Sequence, residues 1–146
     1  GTLKQNLNPT LSTLFVQEKT KQFSTGEEFL FTVKETALRT IIGLIYVKEL
    51  QKRKGQGELA YCIGYEYEGK GLTTNFLNQI IPWAYNNLVL DTLQIIAYKD
   101  NKASIRIAEK LGFSWQTSLL KEHKRFDGHI VDMELYEKYK PTSKQI

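Results

Sequence analysis

From Glu28 to Lys34 apolar and polar side chains alternate, with Phe29, Phe31 and Val33 on one face, and Ile41 to Val47 is rich in β-branched residues. Both runs read as strands, antiparallel and joined by a turn around Glu35 to Leu38. Glu58 to Gly64 reads as a third strand, after which the period changes. Leu72, Phe76, Ile80, Trp83 and Ala84 recur at helical spacing, and Leu77, Ile81 and Leu88 widen the stripe. A helix from about Lys70 to Asn86 follows, weakened locally by Pro82 inside it. Leu93 to Tyr98 returns to strand, Asn101 caps a short helix through Leu111, and Gly112 ends that helix. Ser114 to Lys124 and His129 to Leu135 form a last pair of strands about Phe126-Asp127-Gly128, where Asp-Gly is a hairpin signal. Ahead of all these, Leu11, Leu14 and Phe15 predict a helix over Pro9 to Gln22, with Gly26 as its end.

The order helix, strand, strand, strand, helix, strand, helix, strand, strand predicts an α/β (α+β) fold with a mixed central sheet of about six strands. The unit from Glu58 to Tyr98 must be a parallel crossover or a near relative of one, so its turn lies at the carboxyl end of a strand, where such sheets usually bind ligands. No repeat or low-complexity linker divides the 146 residues, and a single domain over 1–146 is expected.

Composition changes this picture little: 41% apolar and 25% charged residues are ordinary globular values. Cys62 is the one cysteine, and its place in Leu59-Ala60-Tyr61-Cys62-Ile63 predicts a buried strand residue. A reduced, cytoplasmic setting is expected from it, as is the absence of a membrane partner, since no apolar run approaches the ~20 residues that span a bilayer. The formal charge of +4 is spread along the chain. Its one dense cluster, Gln51-Lys52-Arg53-Lys54-Gly55, reads as a solvated hairpin loop, so a nucleic-acid partner is the least supported reading.

The chemistry concentrates in Glu68-Gly69-Lys70-Gly71-Leu72-Thr73-Thr74. Two glycines at a helix entry let the backbone approach a ligand, and the first helical N–H groups have no partner of their own. The helix dipole favours an anion there, with Lys70, Thr73 and Thr74 as supplements. The spacing matches neither the nucleotide P-loop nor the three-glycine dinucleotide fingerprint. By itself the turn also reads as a bare strand-to-helix connection.

Taken with Glu58 to Gly64, with Asn101-Lys102-Ala103-Ser104 and with Glu109-Lys110-Leu111-Gly112-Phe113, the turn resembles the GNAT acetyltransferase superfamily. Within it the chain is most similar to the RimJ/RimL-type branch, which acetylates α-amino groups of ribosomal proteins and other amines. Asp127-Gly128, Asp132, Met133 and Tyr136 extend the likeness, which covers about Gly26 to Tyr139. Glu66 stands where the superfamily writes Gln or Arg. By comparison with the family an N-terminal strand and helix, about thirty residues, are missing, and the resemblance implies an exposed sheet edge and a homodimer.

The resemblance implies acetyl-coenzyme A as co-substrate and an amine, either a small molecule or a protein N-terminus, as acceptor. The cofactor would lie across the splayed third and fourth strands. Backbone groups at Ile63 would hold its pantetheine, the amides of Glu68, Gly69, Lys70, Gly71, Leu72 and Thr73 its pyrophosphate, with Asn101 beside it. Direct attack by the amine needs a base, an oxyanion donor and an acid at the sulfur. Ser104 matches the position thought to protonate the leaving thiolate, and is equally a first-turn residue behind the Asn101 cap. For the base the branch implies a carboxylate on the penultimate strand, and counting from Ser104 places His123 there with Glu122 adjacent. Histidine, near pKa ~6.5, suits that work at neutral pH. His123 also reads as an exposed polar strand residue among Lys121, Lys124 and Arg125. Tyr61, Tyr65, Tyr67 and Tyr98 are packing or cleft-lining aromatics. No metal-ligand spacing appears. A second reading keeps the fold as a coenzyme-binding or interaction module with weak chemistry.

Overall fold

The computed structural model describes residues 2–8, 12–23, 26–35, 40–50, 55–69 and 71–142, with side chains for 28–35, 40–50, 55–64, 66–69, 71–120 and 124–142. Among the described residues eight strands form one sheet: β1 (Thr2–Asn8), β2 (Ser12–Phe23), β3 (Gly26–Lys34), β4 (Ile41–Glu49), β5 (Gln56–Ile63), β6 (Thr92–Tyr98), β7 (Ser114–Lys124) and β8 (Ile130–Tyr139). Their order is β1-β2-β3-β4-β5-β6-β8-β7. Two helices, α1 (Leu72–Asn87) and α2 (Lys102–Lys110), follow β5 and β6. This is the mixed α/β architecture expected, and β3 to β8 are its six expected strands.

The amino-terminal segment departs from expectation. Where a helix was predicted over Pro9 to Gln22, β2 pairs antiparallel with β1 and then with β3, from Gln17↔Thr32 to Phe23↔Gly26. Leu11, Leu14 and Phe15 make too short a pattern to fix a period, whereas Thr13, Val16, Thr20 and Phe23 favour strand once an open edge of β3 is there to pair. β3 is therefore not a sheet edge, contrary to the edge implied by the resemblance. The turn residues 36–39 and the basic cluster 51–54 lie outside the described residues.

One face of the sheet carries the core. Phe29, Phe31, Val33, Ile45, Val47, Leu59, Leu93 and Ile95 are buried against Leu72, Phe76, Leu77, Ile80, Ile81 and Ala84 of α1. Trp83 meets the rings of Phe29 and Phe31 edge-on, with centroids 5.3 and 4.9 Å away. Each such buried side chain contributes on the order of 1.5–3 kcal/mol. Pro82 sits in α1 without ending it, because its ring is on the exposed side and only one ladder bond is forfeited. α2 adds Ala108, with Leu111 and Phe113 just beyond it.

Register places the site. β5 and β6 run parallel, as the crossover required, but their pairing covers only Gln56↔Thr92, Gly57↔Leu93 and Glu58↔Gln94. β5 continues along β4 as far as Ile63↔Gly43, while β6 continues along β8 as far as Tyr98↔Met133. The two strands thus part after Glu58 and leave a wedge between them.

Candidate active site

The wedge opens toward both strand-to-helix turns. Beyond β5 the chain makes a single 3₁₀ turn, Tyr65–Tyr67, anchored by Gly64 N–H donating to the Ile42 carbonyl at 2.7 Å. The Tyr67 hydroxyl donates to Glu35 Oε2 at 2.6 Å, and that carboxylate holds the phenol above its ordinary pKa. Gly69 and Gly71 then take φ of +75° and +74°, left-handed values that favour glycine. A Cβ at either would meet nothing within 4 Å, so the outer side of the turn is open.

Gly71 is the N-cap of α1, and no side chain caps the helix. The first described bond back to it comes from Asn75 N–H at 3.2 Å. The amides of Leu72, Thr73 and Thr74 are therefore donors without an intrahelical partner, and the first turn holds no acidic residue. Leu72 is buried, so its side chain anchors the helix in the core. Lys70 lies outside the described residues.

The opposite wall is the turn from β6 into α2. Asn101 Oδ1 accepts from Ser104 N–H at 3.2 Å, the cap expected there. The Tyr61 hydroxyl, reaching from β5, donates to the Ser104 backbone carbonyl at 3.3 Å. Burial pushes the Tyr61 phenol up to about 12, against a smaller opposing contribution from Ser104.

Between these walls lies a cleft of about 220 Å³. Tyr61, Cys62 and Ile63 of β5 form its floor, Glu68, Gly69 and Thr73 one side, and Asn101, Ala103, Ser104 and Ile107 the other. Of the residues proposed from sequence for the cofactor, Ile63, Glu68, Gly69, Thr73 and Asn101 come together here, as does Ser104. Ala103 and Ile107, which the sequence reading did not single out, stand one and three residues from Ser104 in α2.

Cys62 is exposed, not buried. Leu59 and Tyr61 take the core side of β5, so Ala60 and Cys62 alternate outward, and the continuous apolar run hid that period. His123 pairs with Val131, beyond the Tyr98↔Met133 rung, and an irregularity separates Leu119↔Met133 from His123↔Val131. Four steps on β7 there match two on β8, so β7 carries two residues more than β8 between these rungs. Their side chains lie outside the described ones. His129 is a solvent-facing hairpin residue, as expected, with its Nδ1 3.2 Å from Asp127 Oδ1.

Among the described residues no group of three or more His, Cys, Asp or Glu is placed to hold a metal. None of the described helices is long and apolar enough to cross a membrane.

The sequence is 31% identical over 93 residues to a "Putative ribosomal N-acetyltransferase" of Bacillus subtilis, covering 64% of this chain and 48% of that one. It is 34% identical over 80 residues to the spermidine N(1)-acetyltransferase of Escherichia coli, covering 55% and 43%. The chain thus spans about half the length of these curated relatives. Among solved structures, the ribosomal-protein-S5-alanine acetyltransferase from Vibrio fischeri superposes with a TM-score of 0.72 at 24% identity, over 77% of this chain and 61% of that one. Residues 3–114 match the profile of the acetyltransferase (GNAT) domain. The chain belongs to that family, the acetyltransferases of the GNAT domain.

Proposed function

We propose that the chain is an N-acetyltransferase that moves the acetyl group of acetyl-coenzyme A to a primary amine. The observation that carries this reading is the three-rung pairing of β5 and β6, which ends at Glu58↔Gln94 and opens a cleft between an uncapped helix entry and Ser104. The cradle fits the coenzyme. Amides of Glu68, Gly69, Gly71, Leu72 and Thr73 suit a pyrophosphate, the open sides of Gly69 and Gly71 leave it room, and the free edge of β5 toward Ile63 suits a pantetheine arm.

When bound, the coenzyme supplies the acetyl thioester. The chain's own groups then divide the proton work: His123 or Glu122 accepts the proton of the attacking amine, and Ser104 returns one to the departing sulfur. The acceptor is a protein N-terminal α-amine or a small amine such as a polyamine, the two classes that the names of the relatives suggest. The reading extends to a single domain in the cytoplasm, where the exposed thiol of Cys62 stays reduced, and to a homodimer.

Release of free thiol from acetyl-coenzyme A, with and without a panel of amines, tests it. Acceleration by an amine supports the enzyme. Coenzyme binding with no acceleration favours the binding-module reading instead.

A further inference from the structure

Because β5 and β6 share only the rungs from Gln56↔Thr92 to Glu58↔Gln94, the sheet beyond them divides into a half that ends in β5 and a half that begins with β6. The two sides of the cleft fall on different halves. Tyr61, Cys62 and Ile63, its floor, belong to β5, whereas Ser104 rides on α2, which follows β6. The width of the wedge therefore sets how far the Ser104 hydroxyl stands from whatever lies along β5.

Packing holds the far end of α2 better than its start. Ala108 is the one fully buried residue of the helix, with Ile105 and Ile107 half-buried beside it, while Asn101, Lys102 and Ala103 are exposed. Lys99 N–H donates to the Asp132 carbonyl at 3.1 Å and Arg125 pairs with Asp100, so the turn before α2 is tied to β8 and its hairpin, within its own half. The Asn101 cap travels with the helix it starts. The Tyr61 hydroxyl instead crosses the gap, donating to the Ser104 carbonyl at 3.3 Å from a ring packed against the core. Ser104 is thus gripped at its N–H by Asn101 and at its carbonyl by Tyr61, and its side chain starts from a backbone fixed at both ends.

We propose that Tyr61 is the positioning residue for Ser104, a strut that fixes the first turn of α2 relative to the coenzyme strand β5. The proposal rests on the acetyltransferase reading for what the Ser104 hydroxyl does there. It goes beyond that reading in naming a residue that acts through Ser104, since a displacement of about 1 Å at a reacting group costs up to about 100-fold in rate.

The test uses the full chain and amine-dependent release of thiol from acetyl-coenzyme A. Tyr61→Phe should lower kcat about tenfold and leave the KM for acetyl-coenzyme A within about twofold. In a Ser104→Ala background the same change should add no further loss, because the group it positions is gone. Tyr85→Phe removes a phenol bond to a backbone carbonyl, that of Lys138, away from the cleft, and should leave kcat near the parent. An unchanged kcat in Tyr61→Phe, the same loss in both backgrounds, or an equal loss from Tyr85→Phe overturns the proposal.

Amide hydrogen exchange, measured without an acceptor, separates failure of the strut from failure of the enzyme. The Ser104 and Ile105 N–H groups are bonded to Asn101, to its Oδ1 and its carbonyl. Tyr61→Phe should speed their exchange several-fold, where Tyr85→Phe should not. If no amine accelerates thiol release but exchange responds in this way, the strut stands and the transfer reading falls. Unchanged exchange in Tyr61→Phe overturns the proposal whatever the catalytic result.

Discussion

The Tyr61 hydroxyl donates to the Ser104 carbonyl at 3.3 Å and so ties β5 to the first turn of α2 across the gap where β5 and β6 have parted. Strands elsewhere in the sheet are held by backbone ladders; here one phenol spans the opening. Tyr61→Phe removes that tie while keeping the ring, and should cost about 0.5–1.5 kcal/mol in urea denaturation.

The same phenol makes the fold sensitive to alkali. Its pKa is pushed up to about 12, as burial also does for Tyr85, so the folded chain keeps these protons where the unfolded chain, near ~10, gives them up. The stabilisation is complete below the unfolded value and is lost as pH rises through the folded one. Stability should fall between about pH 10 and pH 12, and Tyr61→Phe and Tyr85→Phe should each flatten that fall in denaturant titrations at stepped pH.

Gly71→Ala tests the helix entry. A φ of +74° costs an L-residue about 1–2 kcal/mol, and since an added Cβ meets nothing within 4 Å, that conformational term is the whole expected loss of stability. Coenzyme affinity, measured by calorimetry, should fall more than tenfold, because the methyl would stand on the side from which an anion approaches. A variant that loses stability but binds coenzyme normally would place the anion elsewhere.

Ser104→Ala separates cap from chemistry. The cap bond goes to the Ser104 backbone N–H, so removing the hydroxyl leaves it in place, and stability should stay within about 0.5 kcal/mol. If Ser104 protonates the departing sulfur, turnover should fall about 100-fold while coenzyme affinity stays within about twofold. Unchanged turnover would remove Ser104 from the reaction.

Glu122 and His123 compete for one role. Glu122→Gln and His123→Gln, compared under identical conditions, should divide cleanly, one losing about 100-fold in kcat and the other remaining near the parent. Equal, small losses in both would mean that the base lies outside this stretch of β7.

How far the sequence reveals this fold depends on how local the deciding forces are. α1 was legible because Leu72, Phe76, Ile80 and Ala84 carry a helical period over sixteen residues, and β7 because the Asp127-Gly128 turn fixes one end of its hairpin. β2 was misread because its pairing with β3 is a tertiary fact that a few apolar positions around Leu14 do not contain. Cys62 was misread for a related cause: a strand whose outward residues are also apolar shows no alternation. The coenzyme turn was readable from Gly69 and Gly71, but the wedge that makes it a cleft depends on where the β5–β6 pairing stops, which no local pattern encodes.

The uncapped start of α1 has a consequence for the lifetime of the protein. This helix carries Phe76, Leu77, Ile80 and Ala84 into the core, so whatever settles its first amides acts on the whole fold. A ligand held there adds stability as the logarithm of its concentration over its dissociation constant. Under the proposed function, acetyl-coenzyme A would act as the missing terminal residue of α1, and resistance to proteolysis would rise and fall with the metabolic supply of the coenzyme.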